Sequence, residues 1–430
     1  MAGSNYYVDM ELFDKTDKLR SKPIAPPELI SLPMSQHVGI AATAVVKPSD
    51  EVKKGQLIGE AAQNGLSVPV HSPISGKVRS LEVRINSRGK NDIFVLIEND
   101  FSSAPCQTNI PYGGDPEDFD AIVAFLKDKG VVGMGGGGYP LYAKLKSLRS
   151  ITDTLIINAT ECEPMCSSTF REISENPRHC IDGALMLKKI LKPQNAFLVI
   201  EKRHEIIGRK LCALSAGELS LKTVSDRYPI GDERQIIKEV LGKEISADSI
   251  PAAAGCGVFN IATCSMADKT MKTGVPVIER IVTAAGDCMG EPQNKRVPLG
   301  TSLRDLIKNC GGLKQKPYML VCGGPMLGYS VSNDSAVVAK YTSAVIAFKE
   351  RNKKAGGNCI HCGRCIKVCP MKLVPFYFER AAKARFKDFY KNLNDVSLCS
   401  ECGLCTYVCP ANVPLNYLIK IAKKRRLTDE

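Results

Sequence analysis

The chain has 430 residues, of which 44% are hydrophobic, and a formal net charge of +13. This length favours two to four domains, and the composition is typical of a globular protein. No run of 18 apolar residues and no signal-peptide pattern is present, so we expect a cytoplasmic protein without a transmembrane segment.

Residues 1–27 are predicted to be an N-terminal extension, and residues 28–100 are predicted to form strands. The latter alternate between apolar and polar positions and carry frequent Gly and Pro, with no helical period. Their two halves resemble the barrel-sandwich fold of lipoyl and biotinyl carriers, with Gly55 and Gly76 at the turns. No lysine lies at the hairpin tip, where the sequence is AAQNGLS. We therefore expect a scaffold and not a carrier.

Residues 101–275 are predicted to form an α/β domain. DPEDFDAIVAFLKDKG is an amphipathic helix with acidic residues in its first turn and Gly130 at its end. After a glycine-rich loop, strands and helices alternate, in the order DTLIINA, HCIDGALMLKKILK, NAFLVIE and RQIIKEVLGKEI. Such alternation predicts a largely parallel sheet.

Residues 276–345 return to short strands around one helix, TSLRDLIKNCGG. This region resembles a β-grasp module of the soluble-ligand-binding kind. The polar segment KERNKKAGGN then leads into a final domain, residues 346–430. The predicted fold class is thus a multidomain α/β + β chain.

Two cysteine runs, CIHCGRCIKVCP and CSECGLCTYVCP, dominate the final domain. Both have the spacing C-x-x-C-x-x-C-x-x-x-C-P, which is typical of two-cluster ferredoxins, where the fourth cysteine of each run binds the other cluster. Zinc is the alternative, but it favours two CxxC pairs at longer separation. The predicted ligands of two [4Fe-4S] clusters are Cys359, Cys362, Cys365 and Cys409 for the first, and Cys399, Cys402, Cys405 and Cys369 for the second.

The final 80 residues contain 16 Lys and Arg against 6 Asp and Glu. Nucleic-acid binding is one interpretation of such a basic segment. We prefer another, because two clusters with four thiolates each offset much of this charge. The remainder, including Lys423, Lys424, Arg425 and Arg426, could attract an acidic redox partner; a solvated tail is the alternative for these four residues.

The other ten cysteines are scattered along the chain, as buried thiols are in a reducing compartment. We therefore expect that the organism lives anaerobically. These cysteines are Cys106, Cys162, Cys166, Cys180, Cys212, Cys256, Cys264, Cys288, Cys310 and Cys322.

The glycine-rich loop, GVVGMGGGGYPLYAKL, contains G-x-G-x-x-G at Gly133, Gly135 and Gly138. A dinucleotide-binding fingerprint requires a strand before it and an uninterrupted helix after it, whereas here a helix precedes the loop and Pro140 follows it. Successive glycine N–H groups can nevertheless converge on an anion, with Lys144 adding a positive charge. A bare flexible loop is the alternative.

Three later segments carry polar residues where α/β sheets bind ligands. They are INATECEPMC, RYPIGDERQI and GVFNIATCS. Each polar residue alone could be a surface or capping group. In this order, together with the glycine loop, the segments resemble the FMN and NADH site of the hydride-accepting subunit of respiratory complex I. They resemble still more closely the RnfC family, whose members belong to Rnf complexes, the ferredoxin:NAD⁺ oxidoreductases.

The resemblance implies which residues form the site. The family usually has GGAGFPT, where this chain has Gly137, Tyr139 and Leu141. The implied cofactor-binding residues are Gly133, Gly135, Gly136, Gly138 and Lys144 for the flavin phosphate, with Tyr139, Asn158, Glu161, Tyr228, Asn260 and Thr263 around the flavin; the implied catalytic residues are Glu163, Asp232 and Glu233.

The resemblance also implies an activity: electron transfer between NADH and a protein acceptor through FMN and the two clusters. The implied partners are an acidic redox protein, reductase subunits or membrane Rnf subunits, the last giving a peripheral position at the membrane. One alternative is a soluble relative that serves a reductase, such as proline reductase or an enzyme of cobalamin reduction. The other is a flavin-free iron–sulfur relay without catalysis.

Overall fold

A computed structural model of the chain describes residues 16–102, 104–246, 251–349, 356–383 and 394–428. Within these residues, no helix has both the length and the apolar character needed to cross a membrane.

The barrel-sandwich region consists of two antiparallel sheets that share one core. Alternating apolar residues such as Ile30, Leu32 and Ile97 are fully buried between them, as a half-buried strand requires. The sheet orders are β2-β8-β7-β4 and β3-β5-β6. Strand β1 (Lys22–Pro23) precedes them and belongs to another sheet; the strands of these two sheets are β2 (Leu29–Pro33), β3 (Thr43–Ala44), β4 (Glu51–Val52), β5 (Leu57–Glu60), β6 (Val70–His71), β7 (Gly76–Ile85) and β8 (Asn91–Asn99).

The α/β region has a four-stranded sheet in the order β11-β10-β9-β12, and every pairing in it is parallel. This confirms the predicted parallel sheet. Its elements are α1 (Phe119–Asp128), α2 (Leu141–Leu148), β9 (Thr154–Asn158), α3 (Ser168–Glu175), α4 (Pro177–Leu191), β10 (Asn195–Glu201), α5 (Glu205–Leu214), β11 (Ser220–Val224), α6 (Glu233–Leu241), β12 (Cys256–Asn260) and α7 (Ile261–Thr273).

The helices on either side of the glycine loop follow local rules. Asp118 caps α1 by accepting a hydrogen bond from the Ala121 N–H, at 3.0 Å. Pro140 was expected to interrupt a helix after the loop, but α2 begins directly after it. Proline is tolerated at a helix start because the first N–H groups have no acceptor within the helix. The preceding element is α1, as predicted, and not a strand.

The order of the parallel strands reverses at β9. This strand pairs with β10 on one side and with β12 on the other, and its last residue, Asn158, is in register with Asn260 at the end of β12. A crevice at the carboxyl ends of two such strands is the usual ligand site of an open α/β sheet. Residues 158 and 260 therefore mark the place to look for a site.

The β-grasp region forms a six-stranded sheet in the order β1-β14-β13-β17-β15-β16. Strand β1 joins its edge, with Lys22 opposite Lys295, so part of the predicted N-terminal extension belongs to this sheet. Strand β17 runs past residue 345, the predicted boundary. The elements are β13 (Glu279–Ala285), β14 (Gln293–Pro298), α8 (Leu303–Lys308), β15 (Met319–Cys322), β16 (Tyr329–Val331) and β17 (Ala344–Phe348).

The final region repeats one local conformation. Gly363 and Gly403 have φ values of +72° and +78°, and each precedes a short helix. His361 and Glu401, two residues before these glycines, also have positive φ, at +55° and +59°. The two cysteine runs are thus matched in backbone as well as in sequence. Their helices are α9 (Arg364–Val368), α10 (Pro375–Lys383), α11 (Leu404–Tyr407) and α12 (Leu415–Thr428).

Most cysteines outside the two runs are buried and unpaired. Seven of the ten are buried, and Cys106, Cys162 and Cys212 are partly exposed. Burial raises the pKa of the Cys264 thiol to about 12 and that of Cys310 to about 11, because the charged thiolate is poorly solvated in the core.

Candidate flavin and cluster sites

A cavity of about 320 Å³ lies at the carboxyl edge of β9 and β12. We call it the switch-point cavity. It brings together every residue predicted for the flavin site except Gly136, although these residues come from distant parts of the chain. Its lining includes Gly133, Gly135, Gly138, Tyr139, Lys144, Asn158, Glu161, Glu163, Tyr228, Asp232, Glu233, Asn260 and Thr263.

The glycine loop presents unpaired N–H groups at this cavity. The loop is closed by the Gly133 N–H, which donates to the Tyr139 carbonyl at 2.8 Å. Within the part of the chain that the structure describes, the N–H groups of Gly135, Gly136, Gly137 and Tyr139 have no acceptor. Successive free N–H groups of this kind suit an anion. The loop therefore fits the phosphate of FMN.

The loop also lies close to the end of β12. A Cβ atom added to Gly135 would lie 3.1 Å from Nδ2 of Asn260, and Gly136 has a φ of +101°. The Met134 N–H donates to Oγ1 of Thr263 at 2.9 Å. The backbone conformation thus favours glycine at residue 136, and a side chain at residue 135 would crowd Asn260.

The two asparagines at the strand ends are held by their own hydrogen bonds. Oδ1 of Asn260 accepts from the Ala262 N–H at 3.0 Å and caps α7. Nδ2 of Asn158 donates to the Gly231 carbonyl at 3.1 Å, and its Oδ1 accepts from Thr160. These side chains form a rigid floor for the cavity.

Two partly buried glutamates follow β9. Glu161 accepts hydrogen bonds from the Thr169 and Phe170 N–H groups at the start of α3, at 2.6 and 3.4 Å. Glu163 accepts from the Met326 and Leu327 N–H groups, at 3.2 and 2.8 Å. Burial raises the pKa of each to about 7, although the N–H donors act in the opposite direction. Glu163 thereby connects the α/β region to the β-grasp region.

The remaining charged residues of the cavity are also partnered. Asp232 caps α6 by accepting from the Arg234 and Gln235 N–H groups, and burial raises its pKa. Lys144 forms an ion pair with Glu233. Lys144, predicted to contact a phosphate, thus pairs with a carboxylate to which the family resemblance assigns a catalytic role.

One wall of the cavity comes from the final region of the chain. Ser400 and Cys402 line the cavity, and the buried Tyr228 hydroxyl donates to the Cys402 carbonyl at 2.6 Å. The second cysteine run therefore borders the switch-point cavity.

The eight predicted cluster ligands surround two small cavities of about 20 Å³ each. The outer site is lined by Cys359, Cys362, Cys365 and Cys409. The inner site is lined by Cys369, Cys399, Cys402 and Cys405. Each site takes three thiols from one run and one from the other, so the structure brings together the two crossed sets predicted from the sequence.

Backbone donors surround both sites in the same pattern. In each run, the N–H two residues after the first cysteine donates to that cysteine's sulfur, at 3.4 Å. The N–H four residues after the last cysteine donates to its sulfur, at 3.3 and 3.4 Å. Such donors stabilise charge on thiolate ligands. Four thiols with matched N–H donors fit an iron–sulfur cluster in each site.

Several cavity residues were missed by sequence reasoning. Thr160, Cys162 and Phe259 lie beside predicted residues and line the same cavity. Ser400 belongs to the cluster region. Of these four residues, only the first three carried a signal in the sequence, namely their proximity to a predicted residue.

Family models match four parts of the chain in the same order as the regions described above. The RnfC Barrel sandwich hybrid domain matches residues 13–102, and the Nuo51 FMN-binding domain matches residues 126–268. The SLBB domain matches residues 281–330, and the 4Fe-4S dicluster domain matches residues 358–413.

Curated relatives cover most of the chain. The RnfC component of the Na⁺-translocating ferredoxin:NAD⁺ oxidoreductase complex of Acetobacterium woodii is 32% identical over 81% of this chain and 80% of that protein. Its counterpart in the proton-translocating ferredoxin:NAD⁺ oxidoreductase complex of Clostridium ljungdahlii is 32% identical over 87% of this chain and 83% of that protein. The chain belongs to the RnfC family.

RnfC membership confirms the predicted fold class, and the domain matches confirm FMN and two [4Fe-4S] clusters as its cofactors. The individual site residues stay predictions. Among solved structures, the NAD⁺-reducing [NiFe]-hydrogenase in the H2-reduced state matches with a TM-score of 0.51 and 15% identity, over 75% of this chain and 63% of that chain. The RnfC-family chain thus spans less than two thirds of that hydrogenase chain, and the likeness concerns the fold.

Proposed function

We propose that the chain transfers electrons between NADH and a protein partner, with FMN in the switch-point cavity and a [4Fe-4S] cluster in each of the inner and outer sites. The observation that carries the proposal is that one residue, Cys402, lines both the switch-point cavity and the inner site. When bound, FMN supplies hydride transfer and the clusters supply one-electron transfer.

The residues of the cavity have different roles in this proposal. The free N–H groups of the glycine loop bind the flavin phosphate. Asn158 and Asn260 orient the flavin from the floor, while Tyr139, which is 44% exposed, lies on the open side where a nicotinamide would enter. Glu163 and Asp232 hold neighbouring backbone in place, so we assign them positioning roles in preference to a direct catalytic one.

The two cluster sites differ in their access to solvent. The inner site adjoins the switch-point cavity, whereas Cys362 of the outer site is exposed and its neighbour Ile360 is 64% exposed. Electrons therefore pass between the cavity and a partner by way of the inner site and then the outer site. The opposite direction of net flow uses the same order in reverse.

The partner docks at the outer site. The exposed Arg364 lines this site, and none of the residues that line it is acidic. This charge suits an acidic redox protein or subunit. Because the two relatives above are named as parts of ion-translocating complexes, we infer that other subunits of such a complex hold this chain peripherally at a membrane.

Anaerobic reconstitution tests the proposal. We expect about one FMN and about eight iron atoms per chain, and bleaching of the flavin absorbance on addition of NADH. A protein that binds eight iron atoms but neither retains FMN nor reduces a dye with NADH would be a flavin-free relay. The FMN proposal would then be wrong.

The Lys144–Glu233 pair allows a sharper test of the phosphate site. Lys144→Ala should weaken FMN binding about ten- to a hundredfold, the usual range for a lost hydrogen bond to a charged group. If Lys144 acts only by neutralising Glu233, the double variant with Glu233→Gln should restore binding. If it contacts the phosphate, the double variant should bind as weakly as Lys144→Ala. Iron content serves as the control for folding.

A further inference from the structure

The glycine loop is gripped from outside the α/β region. Nη2 of Arg88, in the turn between β7 and β8 of the barrel-sandwich region, donates to the carbonyl of Gly137 at 3.0 Å and reaches that of Gly136 at 3.5 Å. The Val38 N–H, from the same region, donates to the Gly138 carbonyl at 2.9 Å. Three successive carbonyls of the loop are thus turned toward the barrel-sandwich region.

These anchors determine the direction of the N–H groups. In a trans peptide, the carbonyl of one residue and the N–H of the next point in opposite directions. Anchoring the carbonyls of Gly136 and Gly138 therefore turns the N–H groups of Gly137 and Tyr139 away from the barrel-sandwich region. Both residues line the switch-point cavity, and among the described residues neither N–H has an acceptor.

The guanidinium of Arg88 is itself fixed. Its Cζ lies 3.7 Å from the ring centroid of Tyr341 in the β-grasp region. The Tyr341 hydroxyl lies 3.0 Å from Oγ of Ser87, and the ring is 6% exposed. A planar guanidinium can stack on a ring and reach two carbonyls at once, whereas an ammonium group is a point charge without this geometry.

We propose that Arg88 is a positioning residue for the flavin phosphate: it holds the glycine loop in the conformation that aims its free N–H groups into the cavity. The barrel-sandwich region, expected from the sequence to be a scaffold, thus takes part in recognising the phosphate. This inference rests on the proposed function, because it concerns the same cavity.

The test compares FMN with riboflavin, which lacks the phosphate. Both are titrated into cluster-loaded, flavin-free protein. Arg88→Met and Arg88→Lys should each lower the affinity for FMN about tenfold or more, the range for loss of a hydrogen bond to an anion, and leave that for riboflavin unchanged. Arg79→Met is the matched control, because Arg79 lies on β7, is 60% exposed and pairs with Glu98.

Three outcomes would overturn the inference. If Arg88→Lys binds FMN as well as the unaltered protein does, charge alone suffices and the two-carbonyl grip is not needed. If FMN and riboflavin weaken equally, Arg88 supports the fold and not the phosphate site. If Arg88→Met changes neither, Arg88 has no role in the site.

Hydrogen exchange separates this inference from the proposed function. Without any flavin, amides of the loop peptide 133–139 should exchange faster in Arg88→Met than in Arg79→Met. Unchanged exchange would refute the positioning role. If the unaltered protein bound neither FMN nor riboflavin, the proposed function would fail. Faster exchange in Arg88→Met would then show that Arg88 holds the loop, but its role in phosphate binding would be refuted.

Discussion

The inner and outer sites have the same local construction and opposite surroundings. Both have four thiols, a glycine with positive φ and matched N–H···S bonds. The inner site is covered by Tyr228, and its Cys399 carbonyl accepts a hydrogen bond from Nζ of Lys423 at 2.6 Å. The outer site is open at Ile360 and Cys362. A duplicated motif therefore determines the ligands, while the packing around each copy determines its place in the electron path.

The largest expected effect comes from removing a cysteine that belongs to one run but lines the site of the other. Cys409→Ala should remove about half of the iron and the signal of the outer site, because Cys409 lines that site although it belongs to the second run. Cys369→Ala should remove the inner signal instead. Iron content and electron paramagnetic resonance measure both. Loss of the inner signal in Cys409→Ala, or of the outer signal in Cys369→Ala, would contradict the crossed arrangement.

A second difference concerns the partly buried carboxyl of Glu163, which accepts a hydrogen bond from the Met326 N–H; Met326 packs against Tyr228 and Leu404 beside the inner site. The pKa of Glu163 is raised from 4.5 to about 7 on folding, so the folded state binds the proton more tightly. The resulting stability is full below about pH 4.5 and is lost as pH rises through 7, by at most roughly 3 kcal/mol.

Glu163→Gln should therefore flatten the fall in melting temperature between pH 5 and pH 8. Glu98→Gln, an exposed residue on β8, is the control and should leave that fall unchanged. An equal slope in Glu163→Gln and the unaltered protein would show that Glu163 does not titrate in this range.

The Tyr228 hydroxyl provides a smaller test of the comparison. Tyr228→Phe leaves the Cys402 carbonyl without its donor, which costs about 1–3 kcal/mol for a buried group. We expect a shifted spectrum or potential for the inner cluster and none for the outer cluster. Tyr407→Phe, with a ring that is 46% exposed, should change neither. A shift confined to the outer cluster would reverse our assignment of inner and outer.

The smallest effect concerns the basic C-terminal residues. Lys423 contacts Cys399 and Glu401, so it belongs to the inner site and is not free to attract a partner. The predicted role of Lys424, Arg425 and Arg426 lies outside the described side chains. Replacing these three with Gln should flatten the salt dependence of turnover with an acidic partner severalfold and leave NADH-to-dye activity unchanged. Lys423→Gln should instead alter the inner cluster's spectrum.

Sequence reasoning succeeded where function depends on local patterns. Strand ends can be read from short apolar runs, so the convergence of Asn158 and Asn260 at one edge follows from a parallel sheet. Cysteine spacing likewise determines which thiols can share a cluster. Both patterns are encoded within a few residues of the side chains concerned.

The contacts that were missed join residues far apart in the chain. Arg88 is 49 residues from Gly137, and Tyr228 is 174 residues from Cys402. The phosphate contact of Lys144 stays a prediction, but its ion pair with Glu233, 89 residues away, was not predicted. Such pairs depend on how the regions pack against one another, and no periodicity in one region reports on that packing.

The buried thiols outside the two runs have a practical consequence for chemical labelling. Alkylating reagents attack the thiolate, and burial disfavours that form in thiols such as Cys180, Cys264 and Cys310. In a cluster-loaded chain, iron occupies the thiols of the two runs. Mass spectrometry of alkylated peptides therefore counts the cysteines released when oxygen destroys a cluster, with the partly exposed Cys106 as an internal reference.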